Sequence, residues 1–314
     1  MIAQAGVQML DFQTLLQILW TGLANSTYAV LLAAAFALVL KVVKVWNFAQ
    51  AGLMGIAYYT MYMAIQHWGW PSYAAVLVGA AAAIVAALAI EVFGLQTFRR
   101  RHSPPLTFFI FTLVVSELVQ YLLAMIAGTE PVSLSGTIMS TSYFVGGVVI
   151  SEWDLKAIGS TVVLMAILFL IMKRTRHGQT MTAAADNPYL SRLYGVNVRM
   201  VYALTFVIAA ILITAAMYLF GTRASMVPNT PLELMLFAVI AALLGGMGNV
   251  FGAAIAAVFL GLLRAFSILV IPSAWQSLIL YALLFITILF FPQGVRLARR
   301  SKKKPVPTST AAGA

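Results

Sequence analysis

Long apolar runs separated by short polar stretches organise the chain. The runs cover residues 15–40, 45–65, 73–98, 106–127, 157–172 and 201–220, then 233–244, 250–270 and 274–291. Most approach the ~20 residues that an α-helix needs to cross a hydrocarbon core of about 30 Å. None alternates apolar and polar with a period of two, and 74–90 is dense in Ala, Leu, Ile and Val. Backbone groups inside lipid must bond within their own segment or in a closed barrel. Without alternation the barrel drops out. The expected fold is all-α: a polytopic transmembrane helical bundle of eight or nine membrane segments.

The count turns on 233–270, where Gly245-Gly246-Met247-Gly248-Asn249 interrupts an apolar stretch. Two spans joined by a tight turn fit, and so does a re-entrant half-helix that returns. The stretch 177–199 is too polar to span. It starts at Gly178, carries Ala183, Ala184 and Ala185 and meets Gly195, which predicts a short amphipathic helix capped at both ends. Residues 1–296 read as a single membrane domain. Residues 297–314 read as a basic, disordered tail.

Composition agrees. Of 314 residues, 62% are apolar and 9% charged, whereas a soluble domain carries about 25% charged residues. The net charge of +11 could suggest nucleic acid, but its distribution reports orientation instead. Sixteen of the 19 Lys and Arg fall at 41–44, 99–101, 173–199 and 296–304, all on one side of the expected bundle. The other side holds Asp11, Glu130, Glu152, Asp154 and Glu233. The bias of Lys and Arg toward the cytoplasm then puts the N-terminus outside and the C-terminus inside. The start lacks a basic n-region, so no cleaved leader is expected.

Little in the chain points to catalysis. With no Cys there is no disulfide and no thiol nucleophile. A phosphate-binding Gly-x-x-x-x-Gly-Lys-Ser/Thr loop, His-Glu-x-x-His and Gly-x-Ser-x-Gly are all missing, and the histidines at 67, 102 and 177 are scattered. Neither an enzyme nor a cofactor is expected. Polar residues inside the runs are the informative ones. Asn47, Gln50 and Gly52 open the second run, and polar side chains there bond across helices or line a cavity. Glu117 sits mid-run with Thr112, Ser116 and Gln120. A charge at that depth costs at least ~2.5–3.5 kcal/mol, so it should face the bundle interior. It fits either a pathway or a carboxyl bonded to a neighbouring helix. Glu91, two turns from Arg99, reads as structural, and Arg264 reads as an intramembrane cation.

Four stretches carry a resemblance. Trp46-Asn47-Phe48-Ala49-Gln50-Ala51-Gly52, the loop His177–Asn197, Gly245-Gly246-Met247-Gly248-Asn249-Val250-Phe251-Gly252-Ala253 and Phe291-Pro292-Gln293-Gly294 occur in order. Together they resemble the permease family of branched-chain amino acid ABC transporters, which also serves urea and short amides. The match covers about residues 15–296. Gln179 and Thr182 stand where that family usually has arginines, Gln50 where it often has His, and Asn249 where it has Ser.

The resemblance implies a multi-pass subunit of the plasma (inner) membrane, part of an ATP-driven importer for branched-chain or related amino acids, amides or urea. Its partners would be two cytoplasmic ATP-binding subunits, a second related permease and an extracytoplasmic substrate-binding protein. The implied ATPase-coupling residues are Gly178, Thr182, Ala183, Ala184, Asp186, Gly195 and Asn197. Candidates for the translocation pathway or for helix breaks are Asn47, Gln50, Gly52, Glu117, Gln120, Gly245, Gly246, Gly248 and Asn249. The alternative is a self-contained channel or ion-coupled carrier, which should show more intramembrane acids.

Overall fold

The computed structural model describes residues 12–134 and 141–267, with a few isolated positions beyond. The last expected span at 274–291 falls almost wholly outside the described residues, as do residues 1–11 and the basic tail.

The first run is α1, Phe12–Val43, and it is the axis of the bundle. From Leu31 to Val39 no side chain is more than 1% exposed. Alanine makes this possible: the small residues along 29–37 let α9 (Val198–Gly221), α10 (Thr230–Leu244) and α11 (Val250–Ser267) approach closely. The outer helices bury one narrow stripe each. In α3 (Ser72–Ala89) it is Ala75, Gly79, Ala83 and Ala87, and in α5 (Pro105–Ala127) it is Phe108, Thr112, Ser116 and Gln120. Spacings of four keep each stripe on one face. The opposite faces expose Leu77, Val85, Ile110, Val114 and Leu118, the arrangement a lipid solvent permits.

Among the described residues six helices are long and apolar enough to cross a membrane: α1, α5, α9, α11, α6 (Glu152–Arg174) and the continuous helix Ser72–Arg100. The last consists of α3, a π-helical stretch at Ile90–Leu95 and α4 (Gln96–Arg100). Helix α2, Ala49–Gln66, is less apolar, with Gln50 and three tyrosines, but 12 of its 18 residues are buried. It starts later than the expected 45. Residues 44–48 form a bend with Lys44 at positive φ, and the Phe48 amide donates instead to Thr112 Oγ1 at 3.2 Å. Helices run alternately along the bundle, so Lys41, Arg99 and Lys173 gather at one end, the Lys41 end. Trp68, Glu130, Asp154 and Glu233 gather at the other, the Asp154 end.

The glycine break joins α10 to α11 through a five-residue turn beside Lys41. Gly246 and Gly248 take positive φ, and Asn249 Oδ1 accepts the Gly252 amide at 3.1 Å as a cap. It is a turn at the bundle end, not unwound backbone in its middle. Helix α10 is 15 residues, about 22 Å, shorter than the hydrocarbon core.

The polar stretch 177–199 holds two helices where one was expected: α7, Arg176–Asp186, and α8, Pro188–Leu193. Pro188 ends α7 because it lacks an amide hydrogen and forces Asn187 into an extended conformation (φ −150°, ψ 102°). Asn187 Oδ1 then accepts from Tyr189 and Leu190 at 3.0 and 3.1 Å, capping α8. At the Asp154 end a two-stranded hairpin, β1 (Ser142–Val145) and β2 (Val148–Ser151), leads into α6. Ser151 and Asp154 form a capping box there.

Candidate functional site

A cavity of about 590 Å³ opens among α1, α10, α11 and the segment after α9, within the range of about 300–1,000 Å³ usual for small-molecule sites. It runs along α1 from Gln17 to Leu32, 16 residues or about 22 Å of helix. Its composition is graded. Gln17, Thr21, Asn25, Arg223, Thr230, Glu233 and Arg264 supply polar groups, two guanidiniums and a carboxylate among them. Leu32, Phe220, Leu236, Phe237 and Ile240 supply apolar wall. Past Leu32 the tightly packed stretch of α1 closes the way toward the Lys41 end.

Arg223 lies just beyond α9 and anchors one wall. Its guanidinium donates to Asn25 Oδ1 on α1 and pairs with Asp154 Oδ1 on α6. Burial lowers the pKa of this arginine from its ordinary value, because water no longer solvates the cation fully. Asp154, 6% exposed, also accepts from Trp20 Nε1 at 3.0 Å and from the Ser151 amide at 3.4 Å. The hairpin is tied to the same rim: Gln17 donates to the Val149 carbonyl at 3.2 Å and accepts its amide at 2.7 Å.

The Lys41 end carries the second feature. Helix α7 lies across α6, α9 and α1, burying Gly178, Met181, Ala184 and Ala185. A Cβ on Gly178 would run into the backbone of Ile171 and Met172 at the end of α6. Of the expected coupling residues, Gly178 and Ala184 therefore pack inside the chain. Thr182 is half-buried and donates to the Gly178 carbonyl at 3.0 Å, while Asn197 Oδ1 caps α9 by accepting the Met200 amide at 3.3 Å. Ala183, Asp186, Gly195 and Asn197 are exposed. Gly195, at φ +80°, closes α8 with the paired bonds Val196 N–H to Ser191 O and Gly195 N–H to Arg192 O, both 3.0 Å. The sequence reading missed the apolar face that α8 presents: Tyr189, Leu193 and Tyr194 are 70%, 67% and 86% exposed. Its signal was there, four large apolar residues within 189–194 in a segment otherwise too polar to bury them.

None of the pathway residues expected from sequence lines the cavity. Asn47 and Gln50 are fully buried at the start of α2, and none of their four amide heteroatoms has a hydrogen-bond partner. Gly52 packs against Ser116 and Val119 of α5. Gln120 donates to Ser116 at 3.1 Å within the buried stripe, and Glu117 lies half-buried beside it. Gly245, Gly246, Gly248 and Asn249 form the turn described above. Arg223, Glu233 and Arg264 were missed as a group because the fold, not the sequence, brings them together.

Glu91, 3% exposed, forms a bidentate pair with Arg99 at 2.7 and 2.5 Å. Eight α-helical residues turn through about 800°, leaving the two side chains ~80° apart. The surplus residue of the π-helical stretch makes the interval behave like seven, about 700°, which returns them to one face. Arg99 also stacks 4.5 Å from the Tyr202 ring near the start of α9, directly after α8.

Comparison with known proteins matches residues 18–288 to the family described as branched-chain amino acid transport system, permease component. BraD, the high-affinity branched-chain amino acid transport system permease protein of Pseudomonas aeruginosa, is 28% identical over 292 residues, 89% of this chain and 95% of that protein. LivH of Escherichia coli, which bears the same description, is 28% identical over 299 residues, 91% of this chain and 96% of its own. PsaBC from Streptococcus pneumoniae, solved in complex with Fab, shares the fold with a TM-score of 0.50 at 10% identity, covering 87% of this chain and 91% of that one. The chain therefore belongs to the permease-component family of branched-chain amino acid transport systems, and it is a membrane-embedded transport subunit.

Proposed function

We propose that this subunit takes small amino acids with apolar side chains across the inner membrane, energised by ATP-binding partners that dock on α7 and α8. The observation that carries the reading is the cavity, with opposite charges at its rim and an apolar floor sealed toward the Lys41 end. A zwitterion with an aliphatic side chain offers the complement: a carboxylate for guanidinium, an ammonium for carboxylate and apolar surface for the rest. The relatives' descriptions point to the same substrates. The clustered cations support a cytoplasmic Lys41 end, an orientation in which the cavity faces the outside. There the α8 face, with Arg176, Arg192 and Arg199 nearby, suits a groove that combines apolar surface with acidic groups. A second permease and an extracytoplasmic binding protein complete the assembly we envisage, and ATP hydrolysis belongs to the partners.

The test is uptake of labelled L-leucine by a strain lacking its own copy and complemented with variants. Glu233→Gln, with membrane levels unchanged, is expected to lower uptake at least tenfold, the loss of one charge-assisted contact worth ~1.5–3 kcal/mol. Unchanged uptake would remove the cavity from the pathway.

The orphaned amides give an independent prediction. A buried amide without partners is destabilising, and an apolar residue of similar size relieves that cost. Gln50→Leu is therefore expected to hold or raise the melting temperature in detergent. If the amides meet water or substrate during the transport cycle, the same variant loses uptake. Normal uptake by a stabilised variant would leave them no part in transport.

A further inference from the structure

Asp154 and Arg223 form a contact whose position gives it more than a structural use. Arg223 lines the cavity and Asp154 does not. One guanidinium thus faces the cavity while fastening α6 to α1, through Asp154 on one side and Asn25 on the other. Gln17, also on the cavity wall, bonds the hairpin at Val149, and Trp20 of α1 bonds Asp154, but of these three side chains Arg223 is the one that offers a carboxylate a cation.

We propose that Arg223 is a gating residue: a ligand carboxylate entering the cavity takes the place of Asp154 on its guanidinium and so loosens α6, with the β1–β2 hairpin, on α1. This rests on the reading of the cavity as the substrate path. Three features make the exchange workable. The guanidinium has five donors in a rigid fork suited to carboxylates, so an incoming carboxylate competes on equal geometric terms. Trading one carboxylate for another keeps the buried cation paired, which avoids the large penalty of stranding it. Asp154 is not stranded either, because Trp20 Nε1 and the Ser151 amide still donate to it. What the exchange removes is the Arg223 bridge, one of the ties between α6 and α1. The links from Trp20 to Asp154 and from Gln17 to Val149 then hold the wall. Selectivity follows: a molecule that fills the apolar floor but lacks a carboxylate binds without opening the wall.

The absence of cysteine makes the test direct. Ala157, three residues past Asp154 on the buried stripe of α6 that packs toward α1, is 1% exposed. In isolated membranes from the host, the thiol of A157C is labelled with a maleimide, with or without millimolar L-leucine. Leucine is expected to raise the labelling rate several-fold. 3-Methylbutylamine, leucine without its carboxylate, is expected to leave the rate unchanged. Adding Asp154→Asn should give the raised rate without leucine. Equal rates with and without leucine, or equal responses to leucine and the amine, overturn the gate. T21C, on the cavity wall, separates this from failure of the cavity itself. Leucine that slows T21C labelling without changing A157C leaves the cavity standing and the gate refuted. Leucine that affects neither refutes both. If A157C does not reach the membrane, T161C, one turn further along the same stripe, gives the same readout.

Discussion

Gly252→Val is expected to leave no folded subunit in the membrane. A Cβ there would overlap the Gly245 carbonyl, and one on Gly245 would overlap the backbone of Gly252 and Ala253. The two helices meet backbone to backbone, so no rotamer change can relieve the overlap, and α10 must move away from α11. Both helices flank α1, whose packed stretch depends on their closeness. The expected destabilisation exceeds about 4 kcal/mol, in the range reserved for gross disruption of packing. The control is Gly159→Val: an added Cβ there meets nothing within 4 Å, so it should express and melt like the parent. Quantitative blotting of membranes and fluorescence-detected gel filtration read both. Normal yield of Gly252→Val would show that the crossing is looser than the structure has it.

The second large effect concerns the pair at the π-helical stretch. Arg99→Met is expected to destabilise by about 3–5 kcal/mol, because it leaves Glu91 buried with no counter-charge. The two partners are not equivalent. The Arg99 side chain is 22% exposed and that of Glu91 only 4%, so with Glu91 removed the longer arginine can turn toward water. Glu91→Leu should therefore cost less than Arg99→Met, and the double variant should recover most of the loss. Melting of all three in detergent completes a double-mutant cycle. Additive losses would mean that the two residues act separately. Because Arg99 also stacks on Tyr202 near the start of α9, the helix that follows α8, Arg99→Met should weaken the link between α8 and the bundle as well.

Much of the bundle was legible from run length, because lipid imposes one rule on every span. The helix end at 127 and the short α10 follow from the apolar runs, whereas the first run read to 40 and the glycines at 245–248 left a turn and a re-entrant return both open. Which helix is central was not legible. In water an amphipathic stripe marks the buried face, but α1 is apolar all round, and an apolar side chain suits lipid and protein interior equally. Only the alanines of 29–37 hint at close neighbours. Polar residues inside the runs did not point to the cavity for a related reason. Asn47, Gln50 and Gln120 stood out along the chain, yet they lie at buried helix contacts, while the cavity draws its charges from helix ends and a connecting segment. Arg223 and Glu233 looked like ordinary loop and cap residues until α9 and α10 brought them beside Arg264. The sequence singled out 177–199 for coupling, a role that stays a proposal. The small residues of that segment proved to be the inward packing, and its aromatic and aliphatic residues the exposed face.

The central claim is that this chain is one subunit of an ATP-driven importer, gripped through α8. The most direct test is purification of the tagged chain, expressed at native level in mild detergent, alongside Leu193→Asp/Tyr194→Asp, with mass spectrometry of what co-purifies. The account predicts that the parent brings down an ATP-binding subunit and a second hydrophobic permease. It predicts that the double variant reaches the membrane in equal amount and keeps the permease but loses the ATP-binding subunit. A parent chain recovered alone, stable and monodisperse, would contradict the account and favour a self-contained channel or carrier.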